Sequence, residues 1–555
     1  MTDSTTTATD WNFADVFEAV ARNAPDRACQ IQGDRIITWS QFDRRANALA
    51  ADFVAAGLGH QAKVACYLYN GPEYIETMVA AFKVSMVAVN TNYRYGPEEI
   101  IYLFDNADAE VVVFHACFTE LLDGIRSRLG KVKRWYVVAD ETGAGPSWAS
   151  SYETVVSGGA DVPAVDWPRS GNDLLLLYTG GTTGMPKGVM WRSDDLFNVL
   201  GAGGSALTGT PPGISAEELG SRIDLSVPQA PVMLVACPLM HGTGQFSALI
   251  AMVVGGAVVT LENRKFDVHE LFQTVERLKV TSVVIVGQAF AGPMLDHLDE
   301  DPGRYDLSSI AMISSSGVMW SQENKEGLLR HIPGMILFDS YGSSEAVGLG
   351  GSVSGTGAAE KTAKFALGVS SAVFTDDGRR VEPGSGEQGM VAVGGFIPLG
   401  YYKDEAKTAQ TFRTFEGRRW SVPGDFAEVN ADGSLHLLGR GSVCINTGGE
   451  KVFPEEVEEA LKTHPSVRDA VAVGLPDSRF GETICAVVET EDGVDEPTLG
   501  ELTDHVKHAL AAYKAPRHLL VVDSIQRAPN GKVDYKRLKG LAVERLGVGT
   551  EGIGH

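Results

Sequence analysis

Residues 174–191, LLLLYTGGTTGMPKGVMW, gather the groups that a polyphosphate requires. The glycines let backbone N–H groups approach oxygen anions. Thr179, Thr182 and Thr183 add hydroxyls, and Lys187 adds a positive charge. The apolar run 174–178 reads as a buried strand, and the residues after Lys187 as a helix-like segment. This is not a kinase- or ATPase-type P-loop, because Pro186 precedes the lysine and Gly188 follows it where Ser or Thr is required. A second glycine pattern, Gly547 to Gly552, matches a dinucleotide fingerprint but has no helix after it and lies at the end of the sequence. It is set aside.

Four further segments carry chemistry-bearing residues: Tyr341-Gly342-Ser343-Ser344-Glu345, Gly424-Asp425, Gly439-Arg440 and Pro529-Asn530-Gly531-Lys532. Together with the loop at 179–188, and in that order, they resemble the adenylate-forming superfamily. That superfamily includes acyl-CoA synthetases, aryl-CoA ligases, luciferases and peptide-synthetase adenylation domains. The resemblance covers nearly the whole chain. Ser344 replaces a usual Thr and keeps its hydroxyl, Pro423 stands where Thr is common, and Ser442 stands where Asp or Lys usually marks the pivot.

The resemblance implies a role for each residue. Thr179, Gly180, Gly181, Thr182, Thr183, Gly184 and Lys187 would hold the phosphates of ATP, and Glu345 with Thr179 would bind Mg²⁺. Tyr341, within Ser340, Tyr341, Gly342, Ser343 and Ser344, would lie against the adenine, which Gly317 and Val318 would let approach closely. Asp425, assisted by Arg440, would accept the ribose hydroxyls, and Lys532 would bridge the substrate carboxylate and the α-phosphate. His241, in PLMHGTGQF, would stand beside the incoming carboxylate. Gly448, Gly449 and Lys451 would serve coenzyme A, and Arg440 with Ser442 would form a hinge. The chemistry is coherent. A carboxylate attacking a phosphate brings two anions together, so cations and donors must neutralise both. Mg²⁺ takes oxygen ligands and keeps several waters, so one carboxylate, a hydroxyl and phosphates suffice.

The elements that must position these residues follow from periodicity. Strand-like runs at 63–70, 111–114, 135–140, 174–178, 282–286 and 310–314 alternate with helical patterns such as IETMVAAFKVSMVA, which argues α/β layers with a largely parallel sheet. Residues 384–438 read as a β-rich subdomain, and a compact α+β pattern follows, with a helix opening at Pro454-Glu455-Glu456. The expected fold is therefore a large α/β domain over 1–439 joined by a hinge to a small, mobile α+β domain over 440–555. Residues 200–230 read as a long Gly-, Ser- and Pro-rich loop, in which LGAGGSALTG could leave space near an acyl pocket.

Composition narrows the function. In 555 residues, 71 Asp and Glu outnumber 47 Lys and Arg, and a formal charge of −24 makes nucleic acid or anionic lipid an unsuitable partner. Cysteines 29, 66, 117, 237, 444 and 485 are scattered without a C-x-x-C pair, which suits a reducing cytoplasm and argues against a zinc or disulfide framework. Leu225 to Leu261 has no charged residue, but prolines and glycines break it into strand, helix and strand, so no transmembrane segment is expected. No signal peptide is read at the N-terminus. The reading is an acyl-CoA ligase that uses ATP, Mg²⁺ and coenzyme A on a carboxylic acid, with a homodimer as a candidate assembly. The closest resemblance is to bacterial ligases for fatty acids and bulky steroid side-chain acids. The alternatives are an aryl-CoA (coumarate-type) ligase and a non-catalytic nucleotide-binding protein, the latter disfavoured by the presence of Lys187, Glu345 and Lys532.

Overall fold

The computed structural model describes residues 10–179, 185–205, 209–318, 320–355, 362–447, 450–477, 480–510, 512–528 and 531–547. The chain divides into two compact units, one of Met1–Glu360 with Val393–Ser421 and one of Lys361–Ala392 with Val422–His555. The β-rich stretch at 384–438 is thus shared between them.

In the first unit, strands 35–38, 28–32, 257–260, 232–235, 282–285, 312–316, 336–343 and 346–354 lie side by side in that order. The neighbours from 28–32 through 336–343 are parallel, and the two outermost pairs are antiparallel. A second sheet runs 400–401, 187–192, 174–179, 87–90, 63–67, 109–115, 134–138 and 150–151. It is parallel from 174–179 onward, as continuous Val- and Leu-rich strands buried on both faces require. Val112, Val137, Leu176 and Tyr178 of this sheet pack with Ile100, Leu103 and Phe104 of the helix Pro97–Asn106 into one cluster.

Three local expectations are corrected. Lys187–Arg192 is a strand, antiparallel to Leu174–Thr179, where a helix-like segment was expected. Val189 and Trp191 are buried on one face at period two, and pairing with Leu174–Thr179 occupies backbone groups that a helix start would leave open. The helix Pro72–Lys83 stops before the end of the helical pattern, and Val87–Asn90 is a buried strand, because an apolar run carries no period that separates the two forms. The loop at 200–230 contains the helix Ala216–Ser221, whose Gly220 would place a Cβ 2.9 Å from the carbonyl of Ala19. Gly203 and Gly204 likewise lie against Leu219 and Pro211–Pro212 and permit close packing, whereas a Cβ on Gly209 would meet nothing within 4 Å. Residues 206–208 of that segment lie outside the described residues.

In the second unit, strands 364–367, 434–440 and 425–429 pair antiparallel, with 388–390 beside 426–428. A separate sheet runs 450–452, 445–447, 481–490 and 467–477, with 518–521 parallel to 481–490. The side chains of its two long strands alternate between two cores. Ala470, Ala472, Ile484 and Ala486 meet the helices Pro454–Lys462 and Leu499–Ala509. Val471, Val473, Cys485 and Val487 meet Tyr535–Leu546. All six cysteines are free thiols, and no described helix is long and apolar enough to cross a membrane.

The strand Ile336–Ser343 is anchored by an ion pair in the interior, Lys325 Nζ to Asp339 Oδ2 at 3.0 Å, with both side chains under one-tenth exposed. Removing one member would strand the other charge without water. Lys325→Met is expected to cost about 3–5 kcal/mol in urea unfolding, with partial recovery in Lys325→Met/Asp339→Leu. A single-variant cost below about 1 kcal/mol would show that the pair does not hold this strand.

Candidate active site

The segment expected to hold phosphate is flanked by two paired strands. Leu174↔Arg192 through Thr179↔Lys187 pair in unbroken register, which sets Thr179 and Lys187 opposite one another where the loop leaves the sheet. Gly180, Gly181, Thr182, Thr183 and Gly184 lie outside the described residues. Gly188 faces Tyr178, and a Cβ there would lie 2.7 Å from the tyrosine ring. The loop end of the hairpin is tied to Met240 by buried Asn90. Its Nδ2 donates to the carbonyls of Tyr178 at 2.9 Å and Met240 at 2.6 Å, and its Oδ1 accepts the N–H of Tyr178.

Met240 precedes His241, which is half-buried and stands at the N-cap of the apolar helix Gly242–Val253. Gly244 in its first turn would bring a Cβ to 2.6 Å from the carbonyl of Pro238, so the tight entry into this helix needs glycine. Thr243 Oγ1 donates to the carbonyl of Ser316 at 3.5 Å, which places the helix start beside Gly317 and Val318. Gly317 has φ +94°, a left-handed conformation that favours glycine, and a Cβ on it would still be 3.7 Å from its nearest neighbour. That is ordinary van der Waals contact with Thr243, and Gly317 itself is exposed.

Ser340, Tyr341, Gly342 and Ser343 end one strand, Ser344 and Glu345 form the turn, and Ala346 begins the next, with a bulge between Tyr341 and Ser343. Tyr341 is buried, and Glu345 is half-buried at the turn. Three contacts fix that turn. Trp191 Nε1 donates to the carbonyl of Ser344 at 3.0 Å, Ser421 Oγ to the carbonyl of Glu345 at 2.6 Å, and Tyr401 Oη to Glu345 Oε1 at 2.8 Å.

Tyr401 comes from a segment the sequence reading did not single out. Gly400 and Tyr401 pair antiparallel with Met190 and Val189, and Tyr402 N–H donates to the carbonyl of Gly188. Three residues on, the carboxylate of Asp404 binds Lys187 Nζ. The ammonium beside it holds the Asp404 carboxyl below the usual carboxylate range. One short stretch thus holds both Glu345 and Lys187. The available signals were Asp404 at a helix N-cap and an Asn ending the apolar run at 87–90, neither of which reveals its partner.

In the second unit, Asp425 is buried at the start of its strand and pairs in register with Arg440, the last residue of the neighbouring strand. Gly441 and Ser442 form a single 3₁₀ turn, and Gly441 N–H donates to the carbonyl of Gly424. The glycines on either side of Arg440 are close-packed, since a Cβ on Gly439 would meet the Glu455 carboxylate and one on Gly441 the ring of Phe426. Lys532 is exposed and closes a turn in which Ala528 N–H donates to its carbonyl. Arg527 braces this turn through Gly531, while its guanidinium binds both oxygens of Asp469 at 2.6 and 2.7 Å. Lys451 lies on the strand Glu450–Val452, and Gly448 and Gly449 lie outside the described residues.

A family model described as AMP-binding enzyme matches residues 17–402, and one described as AMP-binding enzyme C-terminal domain matches residues 456–532. The chain belongs to the AMP-binding enzyme family. A medium/long-chain-fatty-acid–CoA/3-oxocholest-4-en-26-oate–CoA ligase of Mycolicibacterium smegmatis is 40% identical over 546 residues, 96% of this chain and 97% of that protein. A 3-oxocholest-4-en-26-oate–CoA ligase of Rhodococcus rhodochrous is 41% identical over 539 residues, 95% of each chain. Among solved structures, an anthranilate CoA ligase in complex with anthranoyl-AMP has a TM-score of 0.82 at 21% identity, covering 99% of this chain and 100% of its own, a likeness of fold. The AMP-binding enzyme match spans both the hairpin and the Glu345 turn. The contacts of Tyr401 and Asp404 are read from this chain's own side chains.

Tyr401→Phe removes one donor from Glu345 and leaves the ring packed beside Phe412. A hydrogen bond to a charged group is worth about 1.5–3 kcal/mol, so the variant is expected to form acyl-adenylate about tenfold or more slowly, with little change in melting temperature. An unaltered rate in pyrophosphate-release assays would remove Tyr401 from the site.

Proposed function

We propose that this chain is an AMP-forming acyl-CoA ligase acting on a fatty or bulky, steroid side-chain-like carboxylic acid. One observation carries the reading: the Thr179–Lys187 hairpin end and the Glu345 turn are drawn onto one segment, in a chain about 40% identical to such ligases over nearly its full length. The first step joins the acid to AMP and releases pyrophosphate. In the second, the coenzyme A thiol displaces AMP.

Lys187 and the hydroxyls beside it would bind the phosphates, Tyr341 would flank the base, which Gly317 and Val318 would let approach closely, and His241 would meet the acid's carboxylate. Asp425 with Arg440 would bind the ribose, Lys532 would neutralise charge between carboxylate and α-phosphate, and Gly448, Gly449 and Lys451 would serve coenzyme A. Asp425, Arg440, Lys532 and the coenzyme A residues belong to the second unit, and their roles rest on the sequence resemblance, as does a hinge at Arg440 and Ser442 separating domains 1–439 and 440–555. Among the described residues no three His, Cys, Asp or Glu side chains gather as a metal cage. A single half-buried carboxylate, Glu345, fits Mg²⁺, which takes its remaining ligands from a hydroxyl such as Thr179, from phosphates and from water. Bound there, Mg²⁺ would neutralise phosphate charge.

The deciding experiment is pyrophosphate release with ATP against fatty, aryl and steroid carboxylates, with and without coenzyme A. Release with fatty or steroid acids and thioester formation on adding coenzyme A are expected. A preference for aryl acids would transfer the reading to coumarate-type ligation, and no release with any acid would reject the ligase.

Lys532→Ala separates the two steps. A charge that meets the α-phosphate as the transition state forms stabilises that state more than the bound substrate. Adenylate formation is expected to slow by roughly 10²-fold or more, with thioester formation from supplied acyl-AMP near the wild-type rate. Equal loss in both half-reactions would reject an adenylation-specific role.

A further inference from the structure

Asp404 is held from two sides. Oδ1 accepts the N–H of Lys407 at 2.9 Å and caps the helix Glu405–Thr411, while Oδ2 binds Lys187. The carboxylate cannot turn away from Lys187 without uncapping the helix. The backbone reinforces this, because Tyr401 and Tyr402 are hydrogen-bonded along Gly188 and Val189, next to Lys187 itself. The pair is not sealed off: the side chains of Lys187 and Asp404 are 37% and 28% exposed. A soluble anion can therefore reach the ammonium and compete for it.

We propose that Asp404 is a counter-ion that competes with polyphosphate for Lys187. This rests on the nucleotide reading given above. Without nucleotide, Lys187 is paired with Asp404. When ATP binds, the ammonium transfers to phosphate oxygens, and when pyrophosphate departs it returns to Asp404. A ligand that must first displace an internal partner binds more weakly than one meeting a free lysine, by the population in which the lysine is available. Asp404 thus lowers affinity for both ATP and pyrophosphate. The effect bears most on pyrophosphate, whose high charge would otherwise retain it at the hairpin. Asp404 is a positioning residue that acts through Lys187.

The charge can be removed while the cap is kept. Asn and Ser both cap helices, so Asp404→Asn and Asp404→Ser should fold with melting temperatures near wild type. By titration calorimetry with Mg²⁺ at low ionic strength, both are expected to bind inorganic pyrophosphate about tenfold more tightly, with a lower ATP KM and stronger product inhibition. In a Lys187→Met background, the same substitutions should change pyrophosphate affinity less than about twofold, because the contested ammonium is gone. Unchanged or weaker pyrophosphate binding in well-folded Asp404→Asn would overturn the counter-ion role. So would equal tightening in the Lys187→Met background, which would mark a general field effect. A wild-type chain that binds neither ATP nor pyrophosphate would overturn the nucleotide reading itself, and this inference with it.

Discussion

A buried strand must satisfy its backbone groups along both edges, and Lys187–Arg192 meets that requirement with two different partners. Leu174–Thr179 takes one edge and fixes Thr179 opposite Lys187; residues 399–402 take the other. Those two pairings place most of the first unit's polar site. The outer partner carries Tyr401 to Glu345 and Asp404 to Lys187, and Trp191 of the strand itself reaches the carbonyl of Ser344. A one-residue slip along either edge would exchange the two faces of the strand and separate these contacts together.

The chain carries a formal charge of −24. Its lysines are spent in different ways according to depth. Lys325 and Asp339 lie almost wholly out of water, where an unpaired charge is costly, and burial pushes the Asp339 carboxyl above its usual range even with its partner beside it. That pair is structural. Lys187 and Asp404 are partly open to solvent, where an ion pair is worth far less and can be exchanged for another anion. The same two residue types make a fixed brace at one depth and an exchangeable contact at the other.

The second unit uses close packing where the first uses pairing. Its two cores lie on opposite faces of the long hairpin 467–477 and 481–490, and Asp469 at the edge of that hairpin grips Arg527 with both oxygens. Arg527 in turn holds Gly531, so the turn that presents Lys532 is tied to the sheet by a bidentate contact. Gly439 and Gly441 are packed against Glu455 and Phe426, and a side chain at either position would have to displace its neighbour.

By itself the sequence determined the class of fold, and it marked several of the strand-like runs and the segments expected to bear phosphate-binding chemistry. These are local properties: glycine and hydroxyl density around Lys187, the Tyr341-to-Glu345 run, and apolar runs of strand length. It did not separate strand from helix where residues were apolar without a clear period, as at Val87–Asn90, or immediately after a glycine-rich turn, as at Lys187–Arg192. Nor did it find Asn90, Trp191, Tyr401 or Asp404. Each acts on a partner tens to hundreds of residues away, Asp404 on Lys187 and Asn90 on Met240 among them. Only the pairing of strands decided those meetings, because hydrogen-bond register converts sequence distance into spatial contact and leaves no mark on the composition of either segment.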